Sequence, residues 1–493
     1  MELKVCLLKW SAGIPVAMIS LKTAELMGIH ENDRISIEKF SKGDGEFSTI
    51  VNIVEKIIKE KEIGISSEIK ELFGLKEGQK VDVNLAKSPA SLDYIKKKLD
   101  KKKLSKKEIK EIIKDIVNNS LSDPEIALFV SGMYENKMDF NETIDLVESF
   151  LESGEKISFN GKFIVDKHCI GGIPGNRTTP IVVSICAAAG LTFPKTSSRA
   201  ITSAAGTADV IGAIAKIEFS AKELKKIVKK TGACMVWGGS LELVPADSKI
   251  IRIEKMLKID PRAQLLASIM SKKLAVGSKY ILIDIPYGKN AKVNKKEGLE
   301  LKKDFEKLGK HFKLYLKAIL TKGDQPIGNG IGPFLELIDI IKVLNPSEEG
   351  PKDLEKKSLF LAGQILEMTH KVKKGYGIDK AKEILDSGKA FEKFLQIIKA
   401  QKGNIKHIEL GKFRKTIFLN NSGKVSEINN SKINLLARIA GCPVDKSSGL
   451  YIHSKVGDKI KKGEKLLTIY SESKSRLKEA LIYYNKEKPI KIN

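Results

Sequence analysis

The stretch FIVDKHCIGGIPGNRTTPIVVSICAAAG, residues 163 to 190, constrains this chain most, because an apolar strand, a glycine-rich loop and a helix start follow one another directly. Phe163, Ile164 and Val165 predict a short buried strand, and Gly171, Gly172 and Gly175 free the next stretch from side-chain sterics. Thr178 or Thr179 suits the cap of the following helix, Pro180 its first position and Gly190 its end. The first N–H groups of a helix lack partners and carry partial positive charge, so an anion, phosphate above all, fits such a loop, and Lys167 would add a full charge. Neither GxGxxG nor GxxxxGK[ST] is present, and a tight structural turn would use the same glycines.

A chain of 493 residues, 42% of them hydrophobic, predicts several domains, each with its own core. The cysteines Cys6, Cys169, Cys186, Cys234 and Cys442 form no CxxC pair, and only His168 lies close to one, which points to neither zinc nor a disulfide framework. His30, His311, His370, His407 and His453 show no clustering that calls for a metal. The start, MELKVCLLKW, lacks the arrangement of a secretory signal, and no apolar run is long enough to cross a bilayer, so a cytoplasmic location is expected. The net charge of +26 would suit nucleic acid or small anions. Yet most lysines sit in stretches such as KKKLDKKKLSKKEIKEIIKD, where Ile109, Ile112, Ile113 and Ile116 mark one apolar helical face and the lysines take the solvated one. No aromatic-interleaved basic patch or zinc-finger spacing accompanies the charge, so no specific nucleic-acid partner is expected.

The pattern along the chain predicts a multidomain α/β protein. Residues 1 to 86 carry short β-rich runs (RISIEKF, FSTIVNIV, KVDVNL), consistent with an N-terminal barrel-like domain. From 87 to 160 the signals are helical, with capping boxes at Ser122 and Glu125 and at Asp139 and Glu142 and a helix start at Ser105. A later run at about 240 to 278 is expected to complete this discontinuous all-helical lobe. Residues 161 to 239 and 279 to 350 alternate strands and helices as a central α/β domain. Two helices at 351 to 403 form a connection, and residues 404 to 493 read as a C-terminal α+β domain with turns at Gly457-Asp458 and Gly463.

The blocks KHCIGG, PKTSSRAITSAAGTAD, ASIMSKKLAVGS, GDQPIGNGIGP and AKEILDSGKAFEKFLQIIKAQ, in that order, resemble the thymidine/pyrimidine nucleoside phosphorylase family, most closely its archaeal, AMP-using branch. The resemblance runs through nearly the whole chain. It implies phosphorolysis, in which AMP or another nucleoside 5′-monophosphate and inorganic phosphate give free base and ribose 1,5-bisphosphate, with CMP and UMP as further substrates. Phosphate is then a co-substrate, and neither a metal nor another cofactor is implied. A homodimer or larger homo-oligomer is implied as well.

Carried over residue by residue, the resemblance puts Lys167 and Cys169 at the phosphate loop and Gly172 against the substrate. Cys169 stands where the family commonly has serine, a better hydrogen-bond donor than a thiol. Ser198, Arg199, Ala200, Ile201, Thr202, Ser203 and Thr207 would bind substrate, together with Ser268, Lys272 and Lys292. Asp260 matches the proton donor, and near neutrality that role needs a pKa raised by burial or by a nearby negative group such as the substrate's phosphates. Ser268 and Lys272, four residues apart, share a helical face. His168 is expected to be structural, because phosphate is itself the nucleophile. Arg252 is the nearest candidate for the arginine that grips pyrimidines in the thymidine enzymes, without a clear match. The competing readings are a pyrimidine nucleoside phosphorylase, a phosphoribosyltransferase, and a basic RNA-binding protein with an inactive core.

Overall fold

A computed structural model describes residues 1–11, 15–40, 46–200 and 203–493. The chain divides into two units, the first made of Met1–Ser153 with Val244–Ser268 and the second of Gly154–Leu243 with Ile269–Asn493.

In the first unit, strands β1 (Glu2–Leu7), β2 (Ala17–Ser20), β3 (Arg34–Lys39), β4 (Glu46–Val54), β5 (Glu62–Ile65) and β6 (Lys80–Leu85) close a barrel in the order β1-β5-β2-β4-β3-β6. Alternate residues supply its interior, Leu3 and Val5 from β1, Ile35 and Ile37 from β3, and Val81 and Val83 from β6, all buried. Closure leaves no strand edge unpaired. Short helices Leu21–Met27 and Ser67–Phe73 lie between the barrel strands, helices Ser91–Leu99, Lys106–Val117, Asp123–Glu135, Phe140–Glu152 and Pro245–Leu257 follow, and the unit ends at Ser268 within helix Arg262–Ala275. Capping boxes form at Ser105–Glu108, Ser122–Glu125 and Asp139–Glu142. The face of Ile109, Ile112, Ile113 and Ile116 is buried, as its spacing predicts. Helix Pro245–Leu257 joins the earlier helices through Lys249, whose ammonium donates to the carbonyls of Ile116 at 2.9 Å and Val117 at 2.7 Å, the unpaired end of helix Lys106–Val117. Arg34 of β3 donates to the Ser120 carbonyl and, at 2.7 Å, to the Glu125 carboxylate.

The second unit holds strands β7 (Val165–Cys169), β8 (Phe193–Ser197), β9 (Ala233–Trp237), β10 (Tyr280–Tyr287) and β11 (Tyr315–Lys322). β11, β10 and β7 form a parallel sheet in that order, and β8 and β9 form a parallel pair; an isolated bridge between Ile164 and Thr192 links the two. Helices Lys295–His311 and Lys352–Met368 pack on β10, and β9 and β10 are buried along most of their length, apolar but for Asp284. The C-terminal part carries β12 (Gly330–Ile331), β13 (Phe413–Phe418), β14 (Gly423–Ile428), β15 (Gly449–Ile452), β16 (Lys459–Ile460), β17 (Lys465–Ser471) and β18 (Ile490–Ile492). They form sheets in the orders β12-β15-β17-β13 and β16-β14-β18, with helices Asn430–Ala440 and Lys474–Glu487 packed on a core that includes Leu436, Leu450 and Leu467.

Three local expectations need correction. The strand predicted at 163 to 165 runs instead from Val165 to Cys169, paired along its length with Tyr280 to Asp284. The following helix starts at Thr178 with Arg177 as its cap residue, so Thr178 and Thr179 are its first two residues and Pro180 its third. The Thr178 hydroxyl accepts from Lys167 rather than from the helix backbone. The two helices expected at 351 to 403 are three, Lys352–Met368, Gly377–Asp386 and Lys389–Ala400, the last two broken at Gly388, whose φ of +79° favours glycine.

Candidate active site

Successive side chains of a strand point to opposite faces, and on β7 this separates Asp166 from Lys167. Asp166 is fully buried and pairs with Lys195 of β8 at 3.0 Å and with Lys273 at 2.8 Å. Lys167 is equally buried, yet its ammonium meets hydroxyls, Thr178 Oγ1 at 2.7 Å and Thr179 Oγ1 at 3.4 Å. Among the described residues no carboxylate forms an ion pair with it. On neighbouring β10, Asp284 accepts from the Thr321 hydroxyl at 2.6 Å and pairs with Lys357 at 3.0 Å.

Four ammonium groups, of Lys167, Lys195, Lys273 and Lys357, thus share two carboxylates, of Asp166 and Asp284. Burial acts first on Lys167 and lowers its pKa to about 8. Burial alone would raise the Asp284 carboxyl, but Lys357, Lys167 and the Thr321 hydroxyl hold it below the usual carboxylate range. Lys167 also stands at the start of helix Thr178–Ala188, where the dipole repels a cation. An uncompensated buried charge is costly, so this arrangement favours an anion.

The loop after β7 leaves room for one. Gly172 has φ +89°, and a Cβ there would come within 3.1 Å of both the backbone N and the Cβ of Lys292. Only glycine lets these two backbones approach so closely. The Cys169 thiol receives the Asn176 amide at 3.4 Å; burial, with Asp284, pushes its pKa up, so it is a neutral thiol near pH 7. Burial, then Lys273 and Lys195, lowers His168 well below the ordinary imidazole value, so the ring is neutral too.

Between β8 and the short helix Thr207–Ile211, the described residues 198–200 and 203–206 form a second loop segment. One oxygen of Asp209, Oδ2, accepts from the backbone N–H of Ala200 at 2.6 Å and of Gly206 at 2.7 Å, pinching the loop at both ends. The Ala204 N–H donates to Asn434 at 3.1 Å. Arg199 is half exposed, pairs with Glu218 at 2.8 Å and lies over the Trp237 ring.

Residues 161–391 match the glycosyl transferase family a/b domain, residues 92–154 the helical bundle domain of that family, and residues 424–491 the pyrimidine nucleoside phosphorylase C-terminal domain. AMP phosphorylase of Pyrococcus furiosus is 45% identical over 494 residues, covering 99% of this chain and 97% of its own. AMP phosphorylase of Thermococcus kodakarensis is 44% identical, covering 100% of this chain and 98% of its own. The chain belongs to the AMP phosphorylase family.

As a member of the AMP phosphorylase family it is a glycosyltransferase of the pentosyl-transferring kind. Anthranilate phosphoribosyltransferase from Thermus thermophilus shares its fold, with a TM-score of 0.53 at 16% identity over 63% of this chain and 100% of that one. Among the described residues no helix is long and apolar enough to cross a membrane, and no group of three or more His, Cys, Asp or Glu side chains could hold a metal ion.

Of the residues singled out in the sequence, Lys167, Cys169, Gly172, Ser198, Arg199, Ala200, Ser203, Thr207, Lys272 and Lys292 belong to the second unit, and Asp260 and Ser268 to the first. Gly172 and Lys292 are brought into contact, and so are Lys167 and the start of the next helix. Asp260 is exposed and directly precedes Pro261 and helix Arg262–Ala275, on which Ser268 and Lys272 lie one turn apart. Ile201 and Thr202 lie outside the described residues. Sequence reasoning missed Arg177 and Asp209. Asp209, three residues after Gly206, had a signal in its capping spacing; Arg177 had none.

Proposed function

We propose that this member of the AMP phosphorylase family cleaves AMP with inorganic phosphate at the loops beside Lys167 and Thr207, giving adenine and ribose 1,5-bisphosphate. The observation that carries the reading is the buried Lys167 ammonium, held by two hydroxyls at a helix start with no carboxylate ion pair among the described residues. Phosphate supplies the charge this site lacks. Lys167 and the backbone amides around Gly172 hold it, while Ser198, Arg199, Ala200, Ile201, Thr202, Ser203 and Thr207 bind the nucleotide's sugar and 5′-phosphate, with Lys292 beside them.

In the reaction a phosphate oxygen bonds to the anomeric carbon as the glycosidic C–N bond breaks, and the electron pair of that bond leaves with the base. Positive charge grows on the sugar in between, so an oriented anion on one face stabilises the transition state. Asp260 gives its proton to the departing base, while Ser268 and Lys272 hold the base edge. Asp260 is exposed, and so open to a base bound beside it. The same chemistry serves CMP and UMP, since phosphate and ribose are common to all three. The working protein is a cytoplasmic homo-oligomer.

The test incubates the protein with AMP, CMP or UMP with and without phosphate, reading free base and sugar bisphosphate. Base release that requires phosphate, with one bisphosphate formed per base, is expected. Release that proceeds equally in phosphate-free buffer, or from uridine and thymidine in preference to the nucleotides, overturns the reading.

A further inference from the structure

Arg177 ends the glycine loop and caps helix Thr178–Ala188, yet its side chain reaches into the second loop. Nη1 donates to Thr207 Oγ1 at 3.1 Å and Nη2 to the Ala205 carbonyl at 2.8 Å. Nε donates to Glu336, a carboxylate only 1% exposed in the first turn of helix Pro333–Leu344. Glu336 in turn accepts from the Gly332 N–H at 3.2 Å. On the other side, the Arg177 N–H donates to the Gly175 carbonyl at 2.6 Å, and a Cβ on Gly175 would meet the Ile327 carbonyl at 2.4 Å, so the turn that aims the arginine has no slack.

All three guanidinium nitrogens are occupied by protein, and the charge is matched by Glu336. Three of the arginine's five N–H donors are thereby committed to protein, which fixes the plane of the guanidinium. Its effect is on Thr207. An oxygen that accepts from Nη1 has its own proton left to donate in another direction, whereas an unbonded threonine hydroxyl rotates freely. The planar fork also fixes the spacing of Ala205 and Thr207, which a lysine's point charge cannot do.

We propose that Arg177 is a positioning residue, locking the phosphate loop to the nucleotide loop and turning the Thr207 hydroxyl outward as a donor to substrate oxygen. The proposal rests on the reading of Thr207 as a substrate-binding residue. Its chemistry is orientation alone. No bond to substrate is made by Arg177 itself, and Glu336 serves to hold the fork.

The experiment is a kinetic double-mutant cycle on the full chain, with R177K, T207V and R177K/T207V, and with T207S as the conservative control. R177K keeps a cation beside Glu336, so the buried carboxylate is not abandoned. T207V and R177K are each expected to raise KM for phosphate or AMP by ~10-fold, with kcat changed by less than about threefold, and the double variant by no more than T207V alone. T207S should restore most of the affinity. Should R177K fail to fold, E336Q leaves the arginine in place with a neutral partner and is expected to shift the same KM in the same direction. Losses that multiply in the double variant, or a silent R177K beside an effective T207V, overturn the role of Arg177 and leave the site reading standing. A silent T207V removes Thr207 from the site and the inference with it. A fall in melting temperature without a change in KM makes Arg177 merely structural and also overturns it.

Discussion

Lys167 Nζ donates to Thr178 Oγ1 at 2.7 Å, joining the middle of a buried strand to the first residue of a helix, so that two sources of positive potential converge on one point. Replacing Lys167 with methionine, of similar length and no charge, separates binding from folding. A buried charge without a counter-ion costs stability, so K167M is expected to melt no lower than the parent in phosphate-free buffer. It should lose the melting shift that phosphate confers on the parent, and kcat/KM for phosphate should fall roughly 100-fold or more. Calorimetry with and without phosphate reads the first effect, and initial rates the second. A K167M protein still stabilised by phosphate would place the anion elsewhere.

The pH dependence follows with its sign. The Lys167 pKa is about 8 in the folded chain, against 10.5 for the ordinary side chain. Between these values the unfolded chain holds the proton and the folded one has released it, so this group's contribution to stability rises with pH across that window. Phosphate needs the ammonium, so KM for phosphate is expected to climb as pH passes about 8, while the unliganded protein grows no less stable. Phosphate KM measured from pH 7 to pH 9.5 checks this, and a flat profile would contradict it.

Cys169 is held neutral by burial and receives the Asn176 amide, so it offers phosphate a poor donor. C169S puts a stronger donor at the same position. KM for phosphate is expected to fall by roughly two- to fivefold, about the worth of one modest hydrogen bond. A higher KM in C169S would mean that the thiol fills space there and nothing more.

Asp260 tests the proton-donor role. D260N is expected to lower kcat by ~100-fold with AMP, leaving its KM within a few-fold, because general acid catalysis is a transition-state effect. Near-normal turnover in D260N would require another acid.

How much of this was legible in the sequence depended on how local the cause was. The helix start read at Ser105 and the capping boxes read at Ser122 and Asp139 all formed, because each depends on four consecutive residues. The β7 strand was misplaced because VDKHC carries charges that read as loop, and the groups that make their burial tolerable, Lys195 and Lys273, lie on distant segments. The resemblance to phosphorylases pointed to Lys167 and Gly172, but not to the fact that Gly172 is needed to let the Lys292 backbone approach. Arg177 was invisible because its partner Glu336 is 159 positions away and no pattern links the two.

The Arg34 contacts have a consequence for the ancestry of the N-terminal barrel. Ser120 and Glu125 lie where two helices meet, and the barrel's arginine serves both at once. A shortened polypeptide starting near residue 87 would expose the helical surface while depriving that carboxylate of its only arginine among the described residues. Shedding the barrel would therefore demand compensating changes on the helices, and the module is an integral wall of its unit, not a removable ornament.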